Sequence, residues 1–441
     1  MRRRPGGLVV IVYAASFGLT AAALGHVAWA GLEQRGIALA FGVFIAVGEL
    51  ARSGSLPGVG EPPVLEEPWG REPAPLGSAG ALAYALLGDC AGQPTSHGVL
   101  QVVAVVLAGA LAGAVPHVAR GRGPSLDHVV RRVLTAGFAA VCFQPLYNSR
   151  ELDRHAGHGP YYALFLLVLL VLTALCDAVL TAALLRARTL PHGVRRMGGT
   201  PVPYGPLLRD ELRALLGIGS AVCATGAVMA LAVAVAGLWA LPVFCVPLLL
   251  TQLSFRRYTA VRTTYRQTIA SLARATEIAG YTRPGHAHRV AALSTAVGRE
   301  MGLSGPDLTV LEYAALMHDI GQLSLLDPVA EGATAGLPVA EQRRIALLGG
   351  AVVRQTGVPA AVAAVVEQQA DPYRDQPLPA RIVRAVNAYD DLTGGSGGSA
   401  GGALTALERL RLGTGHDYQP EVVESLARVL ARGGLAPVPP G

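Results

Sequence analysis

The sequence predicts an all-α protein in two parts, a polytopic membrane domain of helices followed by a cytoplasmic, all-helical domain. Three observations support this fold class. The chain has 441 residues, of which 51% are hydrophobic and only 15% charged, a composition typical of membrane proteins. The charged residues are concentrated in the C-terminal part, where apolar residues recur at helical spacing. No segment has the alternating pattern that would predict a strand.

Residues 1–255 are predicted to form a membrane domain of about eight helices, because apolar runs long enough to cross a bilayer recur along them. The stretch 78–87 is short, and it fits a crossing, a re-entrant segment or an interfacial segment. Arginines at the ends of the runs place both termini in the cytoplasm. Asp177 lies inside one run, where a hydrogen bond to a neighbouring helix is expected. The predicted apolar runs are 8–30, 37–50, 78–87, 99–118, 129–147, 161–185, 214–236 and 238–255.

Residues 256–282 read as a linker helix that follows the last span. Tyr258, Tyr265, Leu272 and Ala279 recur every seven residues, which is the spacing of a coiled-coil seam. This pattern predicts a parallel homodimer that carries movement from the membrane domain to the C-terminal domain. Residues 433–441 are rich in proline and glycine and are predicted to be a flexible tail.

The formal net charge of +6 does not indicate a nucleic acid polymer as a partner, because the arginines cluster at the ends of apolar runs. The lipid bilayer is the partner that this distribution predicts. Five cysteines lie in or beside apolar segments without paired spacing, so neither a disulfide framework nor a zinc framework is expected.

The C-terminal part contains three residues that suit a metal site. Leu311, Ala315 and His318 fall on one helical face, and Asp319 follows where Gly321 is expected to end the helix. Upstream, His286 shares a face with apolar residues of a second helix. Imidazole nitrogen and carboxylate oxygen are ligands of divalent metal ions. His286, His318 and Asp319 are therefore candidate ligands.

These motifs, with the segments 378–393 and 415–423, resemble the HD superfamily of metal-dependent phosphohydrolases, and most of all its HD-GYP branch. The resemblance covers residues 265–432. It implies an all-helical HD domain in which His286, His318, Asp319 and Asn387 bind a divalent metal such as manganese, iron or magnesium. His318 and Asp319 would carry the catalysis, and the substrate would be a cyclic dinucleotide such as cyclic di-GMP or another nucleotide.

The chain departs from the family pattern at several positions. Asn387 stands where the family has an aspartate ligand, and Gln322 stands where it has a lysine. The further histidines of the family fall near Leu347 and Leu348 and on Gln369 and Ala370, and the Gly-Tyr-Pro loop is missing. A second metal ion would lose its ligands, so the metal should be weakly bound and hydrolysis slow or absent.

Two functions follow from these observations. The first is a multi-pass protein of the cell membrane with a cytoplasmic, metal-dependent phosphohydrolase domain. The second is a non-catalytic receptor or scaffold that uses the HD fold to bind a nucleotide or a protein.

Overall fold

The computed structural model describes residues 7–52, 75–119, 126–152, 160–189, 204–329, 332–394 and 400–433. These residues divide into two compact units, and the last boundary between them falls between Thr259 and Ala260. In the described residues nearly all regular structure is helical, which confirms the all-α prediction. Residues 434–441 of the predicted tail 433–441 lie outside the described residues.

The first unit contains most of the apolar helices. Its helices are α1 (Gly7–Ala30), α2 (Arg35–Leu50), α3 (Pro75–Ala85), α4 (Val99–Ala119), α5 (Leu126–Asn148), α6 (Pro160–Thr189), α7 (Tyr204–Ala214) and α8 (Ser220–Ala236). A π-helical turn, Leu215–Gly219, joins α7 to α8, and a 3-10 turn, Gly237–Trp239, follows α8. Two short strands, β1 (Asp89–Cys90) and β2 (Gln93–Pro94), pair antiparallel between α3 and α4.

The long helix α9 (Ala240–Ile278) begins in the first unit and ends in the second. The other helices of the second unit are α10 (His286–Glu300), α11 (Gly305–Met317), α12 (Val339–Gln355), α13 (Ala360–Gln368), α14 (Leu378–Gly394), α15 (Ala400–Leu412) and α16 (Pro420–Gly433). Two 3-10 turns, Ile320–Ser324 and Thr334–Gly336, lie between α11 and α12.

Five segments of the described residues are long and apolar enough to cross a membrane, which indicates a membrane protein. The fifth of them is interrupted at Gly237, where φ is 66° and the helix changes to a 3-10 turn. Positive φ favours glycine, so this segment consists of α8 followed by the first part of α9. The five segments are Val9–Ala30, Val99–Ala119, Leu126–Asn148, Tyr161–Arg186 and Ser220–Tyr258.

The short apolar stretch 78–87 corresponds to α3, whose 11 residues are almost all buried. At 1.5 Å per residue α3 is roughly 16 Å long, about half the hydrocarbon thickness of a bilayer. It is therefore too short to cross alone. The hairpin that follows contradicts the prediction that strands are absent. Its turn residues Ala91 and Gly92 donate backbone N–H groups to the last carbonyls of α8, at 3.1 and 2.8 Å, and thereby satisfy a helix end.

Two acidic residues on apolar helices of the first unit are paired with residues of α5. Asp177 on α6 accepts a hydrogen bond from Thr135 and lies 3.3 Å from Arg131, both on α5, which confirms the expected bond to a neighbouring helix. Sequence analysis did not identify Glu49, which is almost fully buried on α2. Its carboxylate lies 3.0 Å from both Arg132 and His128 of α5. Glu49 could have been identified from the sequence, because it is an acidic residue inside a predicted span.

In the second unit, one hydrophobic core contains residues from the end of α9 and from every helix from α10 through α16. Leu311 and Ala315 of α11 are fully buried in it, as their helical spacing predicted. The end of α9 contributes Ile269 and Ala273 to the same core. The candidate ligands lie on α10 and at the end of α11, so this core positions both helices relative to each other.

Candidate metal site

His286 is the first residue of α10. The helix begins after Gly285, which has φ 72°, a conformation that glycine adopts without the steric cost of a Cβ atom. Val290 and Val297, on the same helical face, are completely buried. The imidazole of His286 is thus held at the edge of the core, where only 2% of the residue is exposed.

His318 and Asp319 lie at the point where α11 ends. The helix stops at Met317, earlier than the expected end at Gly321, and His318 is its C-cap. Asp319 leaves the helical conformation, with φ −100° and ψ 2°, and begins the turn Ile320–Ser324. Gly321 allows a close approach to α12, because a Cβ atom there would lie 2.0 Å from the backbone oxygen of Ile345. The turn therefore packs directly against the α12 backbone.

Three potential ligand atoms of these residues converge. His286 Nε2 lies 3.3 Å from His318 Nε2, and each of them lies 3.2 Å from Asp319 Oδ2. If an ion lay about 2.1 Å from each of these atoms, the ligand–ion–ligand angles would be roughly 100°, which is between the tetrahedral and octahedral values. The three residues therefore fit a divalent metal ion. They are the one group of at least three histidine, cysteine or acidic side chains with this spacing in the described part of the chain.

Hydrogen bonds orient both imidazoles toward the convergence point. His286 Nδ1 donates to Asp390 Oδ2 at 2.8 Å, and His318 Nδ1 donates to the carbonyl of Ala315 at 2.8 Å. Arg289 donates to both oxygens of Asp390, at 2.9 Å each. A proton on Nδ1 leaves the Nε2 lone pair free to bind an ion, and such outer partners are typical of metal-binding histidines. Asp390 therefore orients His286.

The charges of the three residues stabilise one another in the absence of an ion. Burial alone would lower the pKa of His286, but its hydrogen bonds with Asp319 and Asp390 raise that pKa to about 10. For Asp319 burial acts to raise the pKa, and the charge of His318 together with the two imidazole contacts lowers it well below its usual range. The site therefore holds a proton that a metal ion must displace.

Asn387, the fourth ligand implied by the resemblance, lies on α14 and is 7% exposed. Its Nδ2 donates to Thr334 Oγ1 at 3.1 Å, and its Oδ1 is buried without a hydrogen-bond partner. One turn further along α14 is Asp391, which accepts a hydrogen bond from the backbone N–H of Ala335 at 3.2 Å. Burial raises the pKa of Asp391 to about 6.

A cavity of about 260 Å³ opens onto this site. Its lining residues include His318, Asp319 and Asn387, and also Gln369 and Ala370. The amide of Gln369 donates to the backbone oxygen of His318 at 2.8 Å. Gln369 therefore supports the ligand backbone.

The expectation for α12 needs a correction, because Leu347 and Leu348 do not line the cavity. Leu347 is 59% exposed, and the α12 residues that line the cavity are Val339, Gln342, Ile345 and Ala346. Successive residues of a helix point about 100° apart, so Leu347, which directly follows Ala346, projects away from the cavity. None of the four cavity-lining residues is an acidic residue or a histidine.

Gln322 is fully buried, and its amide donates to the backbone oxygen of Gly332 at 3.4 Å. A lysine here would bury a charge beside that backbone carbonyl. Gln322 therefore links two segments of the second unit, 320–324 and the loop before Thr334.

The fold and the site together define a class: a helical protein with long apolar helices and a buried group of two histidines and one aspartate that fits a metal ion. No family model, curated protein or solved structure matches the chain.

Proposed function

We propose that the protein is a multi-pass protein of the cell membrane whose cytoplasmic HD-like domain, residues 265–432, binds one divalent metal ion and acts on a phosphate ester. The observation that carries this proposal is the convergence of His286 Nε2, His318 Nε2 and Asp319 Oδ2 within 3.3 Å of one another. Iron and manganese suit such a mixed set of nitrogen and oxygen ligands better than magnesium, which prefers oxygen.

The chemistry that a bound divalent ion supplies is the polarisation of a phosphoryl oxygen and the activation of water. The residues of the chain orient the reactants. Asp390 and Arg289 hold His286 in place. Arg384 lines the cavity, where its Nη1 donates to the backbone oxygen of Asp371 at 2.7 Å, and it would place a positive charge near a bound phosphate. In hydrolysis, a bond would form between water oxygen and phosphorus while the bond to the leaving oxygen breaks; the water gives up one proton, and the leaving oxygen takes one up.

The cavity favours a small phosphate ester over a cyclic dinucleotide such as cyclic di-GMP. Its volume of about 260 Å³ lies below the usual range of roughly 300–1,000 Å³ for pockets that enclose drug-sized ligands. A cyclic dinucleotide would need rearrangement of the side chains at the mouth, including Tyr418 and Asp417. Phosphate transfer by two ions is not supported, because Gln369 and Ala370 occupy the positions that would complete a second set of ligands.

A second candidate function is a non-catalytic receptor or scaffold that uses the HD-like domain to bind a nucleotide or a protein. Neutral residues stand at Asn387, Gln369 and Ala370. They favour this candidate, because hydrolysis by the enzymes that the sequence resembles relies on charged or metal-binding groups at these positions.

One experiment separates the two candidates. The full chain in lipid nanodiscs is equilibrated with manganese or iron, and its metal content is measured by mass spectrometry. Turnover of cyclic di-GMP and of a small phosphomonoester is then followed. We expect one ion per chain, lost in His318→Ala. Turnover that disappears in His318→Ala supports the enzyme. Metal binding without turnover supports the receptor. If the chain binds no metal, the metal site is refuted for both candidate functions.

We also propose a parallel homodimer formed through α9. The apolar side chains of Tyr258, Val261 and Tyr265 are 57%, 52% and 43% exposed, and they occupy the predicted seam. Leu272, in the next heptad, packs against the core of the second unit. The proposed contact between copies is therefore confined to the first part of the linker.

Cysteines introduced at Tyr258 or Tyr265, in a chain without its natural cysteines, should form disulfides between copies in oxidised membranes. Gln267, on another side of α9, provides the control position. Equal cross-linking at Gln267 and Tyr265, or none at either seam position, would refute the dimer.

A further inference from the structure

The three converging ligand atoms leave both the coordination and the charge of a divalent ion incomplete. Zinc in structural sites takes four ligands, and magnesium and calcium take six or more. His286 and His318 bind as neutral groups, so Asp319 alone offsets one of the two positive charges. An uncompensated charge in a buried site is costly. Another carboxylate close to the site would complete the balance.

Asp390 cannot supply this charge, because its own charge is already neutralised. Both of its oxygens accept hydrogen bonds from Arg289, at 2.9 Å each, and one also accepts from His286 Nδ1 at 2.8 Å. The bidentate pair with the guanidinium group is a strong, geometrically specific interaction. Asp390 therefore orients a ligand without adding net charge to the site.

Asp391 is differently placed. Its side chain is 5% exposed, and the nearest guanidinium contact is Arg283 Nη2, at 4.0 Å from Oδ1. Its carboxylate accepts a hydrogen bond from the backbone N–H of Ala335, a residue that lines the cavity together with Asp319. Asp391 follows Asn387 by four positions on α14, so the two side chains share one helical face.

A single turn of backbone connects Asp391 to Asn387. Asn387 Nδ2 donates to Thr334 Oγ1, and the N–H of the next residue, Ala335, donates to Asp391 Oδ2. Both Thr334 and Ala335 line the cavity beside Asp319. Asn387 thus lines the cavity with a buried oxygen that has no hydrogen-bond partner, and the carboxylate of Asp391 is hydrogen-bonded to Ala335 of the same wall.

We propose that Asp391 supplies the second negative charge of the metal site, one helical turn beyond Asn387, and holds the ion through a water molecule. Asn387 then contributes a neutral oxygen, and Asp319 and Asp391 together balance a charge of +2. This inference rests on the proposed metal binding, and it assigns to the site a residue that the family resemblance does not implicate.

The test is metal affinity of the full chain in nanodiscs, measured by calorimetric titration with manganese. Asp391→Asn keeps an acceptor for the N–H of Ala335 and removes only the charge. We expect it to weaken manganese binding roughly 10- to 100-fold, the usual effect of removing an outer partner. Asn387→Asp in the Asp391→Asn background should restore most of the affinity, since it returns a carboxylate to the same helical face.

Asp417→Asn is the matched control, because Asp417 also lines the cavity but its side chain is 61% exposed. It should bind manganese like the natural chain. Unchanged affinity in Asp391→Asn, or failure of Asn387→Asp to restore affinity, would overturn the assignment of Asp391 while leaving the proposed metal site intact. Absence of manganese binding in the natural chain would instead overturn the proposed function. Melting temperatures of the metal-free variants show whether each one is folded.

Discussion

The imidazole of His286 lies between two carboxylates, and this arrangement links metal binding to proton release. Its hydrogen bonds to Asp319 and Asp390 outweigh the effect of burial and raise its pKa to about 10. At neutral pH the metal-free site therefore carries a proton. An ion that binds Nε2 must displace this proton, so metal affinity should rise as the pH rises toward 10.

We expect manganese affinity to increase by about tenfold per pH unit between pH 6 and 9, the slope for release of one proton. Calorimetric titration in buffers of different ionisation enthalpy would count the released protons directly. His286→Gln is the control, and it should show weaker binding with a shallower slope. An affinity that does not change over this range would mean that the metal-free site is already deprotonated.

At the scale of elements, the site depends on the close contact between the turn Ile320–Ser324 and α12. A Cβ atom on Gly321 would lie 2.0 Å from the oxygen of Ile345 and 2.7 Å from the nitrogen of Gly349. These are backbone atoms and cannot rotate away. The turn carries Asp319 at its start, so any displacement of the turn moves a ligand.

Gly321→Ala should therefore destabilise the protein by about 1–3 kcal/mol, the usual penalty for overpacking, and should weaken metal binding. Thermal unfolding in nanodiscs, with and without manganese, measures both effects. Gly336→Ala is the matched control, since a Cβ atom there meets nothing within 4 Å. If both variants melt like the natural chain, α12 and the turn are not held as closely as these distances indicate.

Helix α9 has different environments along its length. Tyr258 and Tyr265 are exposed, whereas Ile269 and Ala273 are 1% and 2% exposed. The heptad pattern predicted one seam through all of residues 256–282. Packing against the core of the second unit instead uses Ile269, Ala273 and Thr276, which are spaced by four and three residues, as expected for a helix on a globular core.

At the scale of the whole molecule, the orientation in the membrane is a prediction that follows from the arginine distribution. Arginines precede α1 and follow the apolar part of α9, so the positive-inside rule places both of these positions in the cytoplasm. Helix α1 is long enough to cross. The connection between α1 and α2, near Glu33, should then lie on the opposite side of the membrane.

Fusions of a reporter that is active only outside the cytoplasm would test this orientation. We expect activity with the reporter after Glu33 and none with the reporter at the C-terminus. A reporter fluorescent only in the cytoplasm, placed at the same two positions, is the control and should give the reverse pattern. Activity at the C-terminus would place the metal site outside the cytoplasm and contradict the proposed location.

The sequence by itself determined the all-α class, the apolar helices and the three converging residues. Helical periodicity put His286 and His318 on the same faces as core residues such as Val290 and Leu311, and a core brings such faces together. Asp319 was added because it directly follows His318 where the helix was expected to end. The sequence left open whether the short apolar stretch of α3 crosses a membrane, because an apolar stretch of that length fits several structures. The hairpin after it was missed because a strand of two residues has no periodicity.

Only the tertiary structure decided which contacts the neighbouring carboxylates make. Asp390 and Asp391 are adjacent in sequence, but Asp390 accepts hydrogen bonds from His286 and Arg289, whereas Asp391 accepts one from the backbone N–H of Ala335. The pairing of Glu49 with Arg132 likewise joins residues far apart in the chain. Sequence spacing describes the faces of one helix, whereas contacts between side chains of different helices depend on how those helices pack.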